Sequence, residues 1–163
     1  MRRRARTIGL ISDTHGLVRP EALAALRGVE LILLHGGDIG RRPGQRAHAS
    51  MREVLAALEA IAPVIAVRGN NDTERGAKKI PVKRRIEHAG IPIVLIHDVK
   101  DLDDSGDARI VVSGHSHHPK IEEREGVLYV NPGSAGPRRF SLPITLALLE
   151  IQRGDVHAAL VTL

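Results

Sequence analysis

Over the first two thirds of the chain, short runs of β-branched residues and leucine each break off in a cluster of Gly, Asn, Asp or His. These runs alternate with Ala/Leu/Glu segments of helical period. A strand-like run ended by turn residues, then a 3.6-residue period, is the pattern of an α/β domain. It predicts strands over 7–11, 31–34, 64–67, 91–96 and 110–113. Helices are predicted over 20–26, where Pro20 suits a first turn, and over 50–61, where Ser50 with Glu53 makes a capping box. The last third changes character. Segments 119–124, 127–130, 144–152 and 156–163 read as strands parted by Glu-Gly, Asn-Pro-Gly-Ser and Arg-Gly-Asp turns, an antiparallel half. Such a chain is expected to form two packed sheets with helices outside, not one doubly wound sheet. No internal repeat, low-complexity tract or linker interrupts it, so residues 1–163 are read as one domain.

Composition narrows the chemistry. Cysteine is absent, which removes disulfides, thiolate metal sites and a cysteine nucleophile. Any metal must then sit on imidazole, carboxylate or amide. Tyr129 and Phe140 are the chain's aromatic residues other than histidine, too few for a platform that stacks single-stranded bases. Lys and Arg outnumber Asp and Glu by 24 to 19, which favours phosphate-bearing partners. Four of those basic residues crowd the first six positions, where they read as a solvated, poorly ordered terminus. The apolar run behind them covers only 8–11, short of a signal peptide's core, and no run approaches a membrane span. The expectation is a cytoplasmic protein without a membrane partner.

Five strand ends carry five polar clusters. Ser12-Asp13-Thr14-His15-Gly16 follows the first strand, His35-Gly36-Gly37-Asp38 the second and Arg68-Gly69-Asn70-Asn71-Asp72 the third. His97-Asp98 follows the run over 91–96, and Gly114-His115-Ser116-His117-His118-Pro119 follows that over 110–113. The carboxyl ends of neighbouring strands converge on one crevice, so clusters distant in sequence can meet there. Two carboxylates, four imidazoles and an amide are metal ligands in character. Asp-x-His and His-x-His would each aim two side chains the same way from an extended strand end. Two dications ~4 Å apart need an anion between them, and Asp38 is the candidate, because Gly36 and Gly37 leave room for close approach. The positive charge left over would attract a phosphate anion. Mixed N and O donors suit manganese, iron, cobalt, nickel or zinc, and the donors alone do not name the native metal.

Asp-x-His, Gly-Asp, Gly-Asn-x-Asp, a single His and Gly-His-x-His, in that order, resemble the calcineurin-like metallophosphoesterases. Asn131-Pro132-Gly133-Ser134 followed by Pro137-Arg138 further resembles their small bacterial and archaeal phosphodiesterase branch. The resemblance runs from Ile8 to the final hairpin. It implies a four-layer α/β/β/α sandwich with two mixed sheets and two divalent metal ions. Asp13, His15 and His117 would hold one ion, Asn70, His97 and His115 the other, and Asp38 both. It implies hydrolysis of a small-molecule phosphate ester, most readily a diester, by hydroxide held at that dinuclear centre. Asp72 would orient a ligand or the hydroxide.

Two positions depart from the family pattern. Asn71 stands where larger relatives carry a His that protonates the leaving oxygen, so good leaving groups should be favoured unless His118, His35 or solvent supplies the proton. Asn71 and Arg138 are the candidate substrate contacts, although an Arg pair such as Arg138-Arg139 after a turn is often merely solvated. Asp98 replaces the usual Gly, and the connection from His97 to Gly114 leaves room for only a turn or two of helix near Leu102. Both features border the second metal site. His48, His88 and His157 sit outside every motif and read as surface or hydrogen-bonded residues. Two alternative functions stay open. One is a non-catalytic scaffold, as a eukaryotic membrane-coat relative of the branch is. The other is nucleic-acid binding, motivated by the charge. Oligomeric state is not legible.

Overall fold

A computed structural model of the chain describes residues 4–34 and 37–163. Its described strands are β1 (Arg6–Ile11), β2 (Leu31–Leu34), β3 (Val64–Ala66), β4 (Lys83–His88), β5 (Ile91–Ile96), β6 (Ile110–Val112), β7 (Lys120–Arg124), β8 (Val127–Asn131), β9 (Thr145–Gln152) and β10 (Asp155–Thr162). Helices α1 (Pro20–Ala25) and α2 (Met51–Glu59) and 3₁₀ turns at Ala77–Lys79 and Val99–Asp101 complete the set. One sheet has the order β10-β9-β1-β2-β3 and the other β4-β5-β6-β8-β7. Both are mixed. The centre of each is parallel, β1 with β2 and β2 with β3 in the first, β5 with β6 and β6 with β8 in the second. Antiparallel pairs flank these cores.

Alternation in the strands makes the layers. Ile8 and Leu10 of β1, Leu31 and Leu33 of β2, and Leu149 and Ile151 of β9 face Ile91, Ile93 and Leu95 of β5, Ile110 and Val112 of β6, and Val130 of β8. On the other side of the first sheet, Ile11, Ile32 and Ala66 pack under Ala22, Leu26, Met51, Val54 and Leu58 of the α1 and α2 region. Gly9 lets Leu26 lie close against β1, since a Cβ at Gly9 would push the Leu26 side chain aside. The outer face of the second sheet carries a thinner cover, with Val94, Ile96 and Val111 under Val99, Leu102 and Ala108. The result is the expected α/β/β/α sandwich, its fourth layer being one 3₁₀ turn and a loop.

The capping box is formed. Glu53 N donates to Ser50 Oγ at 3.2 Å and Ser50 N donates to Glu53 Oε2 at 2.7 Å, which holds the Glu53 carboxyl below its usual range. Strand β4 is the element sequence reading left out. Its residues are mostly charged and exposed, as suits an edge strand, so no apolar alternation marks it. It is joined to β5 by Ala89-Gly90, both at positive φ, the two-residue turn that matches strand twist. The final third is not simply antiparallel. Strand β8 pairs parallel with β6, and the β9–β10 hairpin returns to the first sheet beside β1. Strand β7 begins after Pro119, which has no N–H to give a ladder. Of the basic terminus, residues 1–3 lie outside the described residues, Arg4 is exposed and Arg6 opens β1. Among the described residues no helix is long and apolar enough to cross a membrane.

Candidate metal centre

Asp13 follows β1, Asp38 follows β2, Asn70 follows β3, His97 follows β5, and His115 and His117 follow β6. The strands come from both sheets, and their carboxyl ends meet. Five of these residues occupy the left-handed region: Asp13 (φ 51), His15 (φ 46), Asp38 (φ 57), His115 (φ 66) and His117 (φ 62). Such backbone costs on the order of 1–3 kcal/mol per non-glycine residue, and it concentrates where function requires it. Asp-x-His and His-x-His therefore do not aim their side chains by strand alternation, as expected from sequence, but by tight left-handed turns.

Hydrogen bonds between loops hold that conformation. His15 N donates to Asp38 O at 2.7 Å and Thr14 Oγ1 to Ile39 O at 2.8 Å, which clamps the first loop to the second. The buried Asp72 carboxylate accepts from Ile39 N and Gly69 N, each at 2.8 Å, tying the second loop to the third. Burial pushes that carboxyl up to about 6, although the two N–H donors pull the other way. Asn71 donates to both Asp38 oxygens, from its backbone N at 2.7 Å and from Nδ2 at 2.6 Å. From the far end of the chain, Ser134 Oγ donates to Asp13 O at 3.0 Å and Asn131 Nδ2 to Gly114 O at 3.0 Å. A Cβ at Gly136 would strike the Asp13 and Thr14 carbonyls, so the loop after β8 lies flush against the first. The Asn-Pro-Gly-Ser motif thus buttresses the site.

The side chains converge. His15 Nε2 lies 3.4 Å from His117 Nε2 and 3.6 Å from Asp38 Oδ2, and His117 Nε2 lies 3.4 Å from Asp13 Oδ1. Beside them His97 Nε2 lies 2.7 Å from Asn70 Oδ1 and 3.1 Å from His115 Nδ1, while His115 N donates to Asp13 Oδ2 at 3.2 Å. Asp13 with His15 and His117, and Asp13 with Asp38 and His97, each offer donor atoms within 4.8 Å of one another. A Cβ at Gly37 would lie 2.6 Å from Asp13 Oδ1 and 2.8 Å from His97 Nδ1, so glycine opens the space that lets these two approach. Gly36 lies outside the described residues. Burial lowers the His15 imidazole to about 4, against the pull of Asp38, and burial lowers His97 as well. Both rings are then neutral at physiological pH, the form that ligates metal. Facing imidazole nitrogens among buried carboxylates, with no thiolate, fit divalent cations bound by N and O donors.

The remaining candidates divide. Asn71 and Asp72 are engaged with Asp38 and with loop backbone, so they set the positions of Asp38 and Asn70. His118 is exposed and lines a groove with Tyr129 and Glu122 instead of the cluster. His35 lies outside the described residues. Arg138 lines a notch with His15 and His117, joined there by Arg139 and by Arg42, whose Nη2 is 3.4 Å from His15 Nε2. Arg42 had no sequence signal, because it sits in a loop whose Arg-Arg-Pro-Gly composition reads only as a turn. Asp98 Oδ2 lies 3.7 Å from His115 Nε2, while the Nδ1 of the same ring faces His97. Were a cation held at Nδ1, Asp98 would stand on the outer side of the ring, where carboxylates orient metal-binding histidines. Outside the centre, His48 Nδ1 reaches His15 O at 3.2 Å, His88 faces Glu30 and His157 is exposed.

A sandwich whose two sheets converge on a nest of nitrogen and oxygen donors is the frame of a metal-dependent hydrolase. The sequence over residues 7–154 matches the calcineurin-like phosphoesterase superfamily domain, and the chain belongs to that superfamily. It is 36% identical over 156 residues to a probable metallophosphoesterase of Methanothermobacter thermautotrophicus, covering 86% of this chain and 84% of that protein. Its fold is similar to that of an archaeal phosphodiesterase (TM-score 0.72, 23% identity, 95% of this chain and 99% of the other). It is also similar to Vacuolar Protein Sorting 29 of Cryptosporidium parvum (TM-score 0.71, 20% identity, 98% of both chains). Family and donor set together make this protein a metal-dependent phosphoesterase.

Proposed function

We propose that this protein is a phosphodiesterase working at a dinuclear centre. Asp13, His15 and His117 hold one divalent ion, Asn70, His97 and His115 the other, and Asp38 is shared. When bound, the ions would lower the pKa of water and neutralise charge developing on the phosphoryl oxygens. His15, neutral above about pH 4, offers its lone pair without having to release a proton. Asn71 fixes the Asp38 carboxylate from two sides, so the shared ligand is oriented before substrate arrives. Asp72 is a positioning residue, because both of its oxygens are committed to backbone N–H groups. Manganese leads iron, nickel, cobalt and zinc as the expected metal.

The observation that carries this reading is the approach of His15 Nε2 to His117 Nε2, 3.4 Å apart, beside two buried carboxylates. Protein stripped of metal and supplied with manganese should hydrolyse bis(p-nitrophenyl) phosphate. Absence of turnover with every divalent ion tried would refute the proposal. The fold shared with Vacuolar Protein Sorting 29 is compatible with a scaffold, but no feature of the site calls for one.

A further inference from the structure

The space beside the centre is chemically uneven. Next to His15 and His117 lies a notch of about 80 Å³ into which Arg42, Arg138 and Arg139 face, with no carboxylate in its lining. None of these guanidinium groups is ion-paired within the described residues. Next to Asn70 and His97 lies a cavity of about 920 Å³ whose wall carries both signs, Arg68 and Lys83 with Asp98 and Asp101. The notch has room for a phosphoryl group, whereas the cavity can take a sugar or a base.

Charge and leaving-group chemistry agree on what would fill both. Two dications are balanced by Asp13, Asp38, Asp72 and Asp98, and three guanidinium groups leave an excess of three positive charges. A singly charged diester would compensate little of it, whereas an organic diphosphate brings roughly three negative charges. Arginine's planar fork suits phosphate oxygens in the notch. Among the described residues, the groups beside the centre that could protonate a departing alkoxide are engaged elsewhere, Asp98 with His115 and Lys100 N. Asp72 accepts two backbone N–H bonds, Asn71 is an amide bound to Asp38, and His118 lines another groove. A departing phosphate can instead have its charge neutralised by the guanidinium groups and take its proton from the attacking water.

Resting on the phosphoesterase reading, we propose that Arg42, Arg138 and Arg139 form a subsite for the terminal phosphate of an organic diphosphate whose inner phosphate sits at the metal centre. Water adds its oxygen to the inner phosphorus, and the bond from that phosphorus to the bridging oxygen breaks. The bridging oxygen leaves with the terminal group as orthophosphate held by the arginines, which takes one of the water's two protons, and the other passes to solvent. The organic monophosphate remains on the cavity side.

The test uses manganese-loaded protein and isothermal titration calorimetry with methylenediphosphonate, which has two phosphoryl groups one atom apart, and methylphosphonate, which has one. Wild type should bind the diphosphonate at least tenfold more tightly. In R42A/R139A the preference should fall below threefold, and in R42K/R139K, which keeps charge but loses the fork, it should be intermediate. Arg138 is left in place because it also anchors its loop, donating to Leu142 O at 3.3 Å. In turnover, the ratio of kcat/KM for adenosine diphosphate to that for bis(p-nitrophenyl) phosphate should fall at least tenfold in R42A/R139A. Equal binding of the two phosphonates by wild type, or a preference unchanged in the variants, overturns the subsite. If wild type also hydrolyses the aryl diester, the esterase reading survives that loss. Arginine-dependent diphosphonate binding without hydrolysis of either ester would keep the subsite and remove the esterase.

Discussion

The two halves of the donor cluster are built to different standards. Around Asp13, His15 and His117 the side chains are at most 3% exposed, and hydrogen bonds with the loops after β2 and β8 fix the left-handed turn at Asp13 and His15. Around Asn70, His97 and His115 the enclosure is looser. Asn70 is exposed, the His115 side chain is 45% exposed, and its outer support is a carboxylate at 3.7 Å. Burial and loop clamping preorganise the first set, while the second borders solvent and the large cavity. On the proposed two-ion reading, the first ion would be held tightly and the second would exchange readily, with Asp38 as the shared ligand.

The sharpest way to break this picture is Asp38→Asn. Loss of the shared carboxylate should lower metal-dependent kcat/KM by about 10³-fold and reduce bound manganese from two equivalents to one or none, read by elemental analysis. Comparing His117→Ala with His115→Ala separates the halves. The first should abolish the tighter binding event in a manganese titration and the second only the weaker; loss of the same event in both would dissolve the distinction. Asp98→Gly should weaken the second ion by about tenfold, the low end for removing an outer support, and leave the first unchanged.

A smaller effect lies in acid stability. In metal-free protein His15 has a folded pKa of about 4, below its ordinary 6.5, so the unfolded chain takes up a proton first and stability falls as pH drops from 6.5 toward 4. Asp72 opposes this: its carboxyl is raised from 3.8 to about 6, so the folded state gains the proton first and stability rises over much of the same range. Asp72→Asn should therefore steepen acid destabilisation in pH-dependent urea titrations. It should also cost about 1–3 kcal/mol at neutral pH, since an amide cannot accept at both positions.

Much of this was legible in sequence, and the limits are physical. Eight of the described strands announce themselves through apolar runs and β7 through its flanking turns, whereas β4 does not, because an edge strand exposed on its charged face has no inward set to reveal it. The clusters after the strands were visible because turn chemistry and ligand chemistry use the same residues. Their backbone was not, since nothing local to Asp-x-His distinguishes a strand end from a left-handed turn. His118, weighed as a source of the leaving-group proton because it neighbours the ligand pair, lines a separate groove with Tyr129 and Glu122.

The order of donors, the lack of thiol and the positions of most elements belong to the sequence alone, because periodicity and residue chemistry are local properties. Tertiary structure decided which donors meet. His15 and His117 are 102 positions apart and touch only because β1 and β6, in different sheets, end at the same edge of the sandwich. It likewise committed Asn71 and Asp72 to holding loops and brought Arg42 beside Arg138. Such proximities come from the packing of two sheets, and a linear pattern carries no measure of distance between its ends.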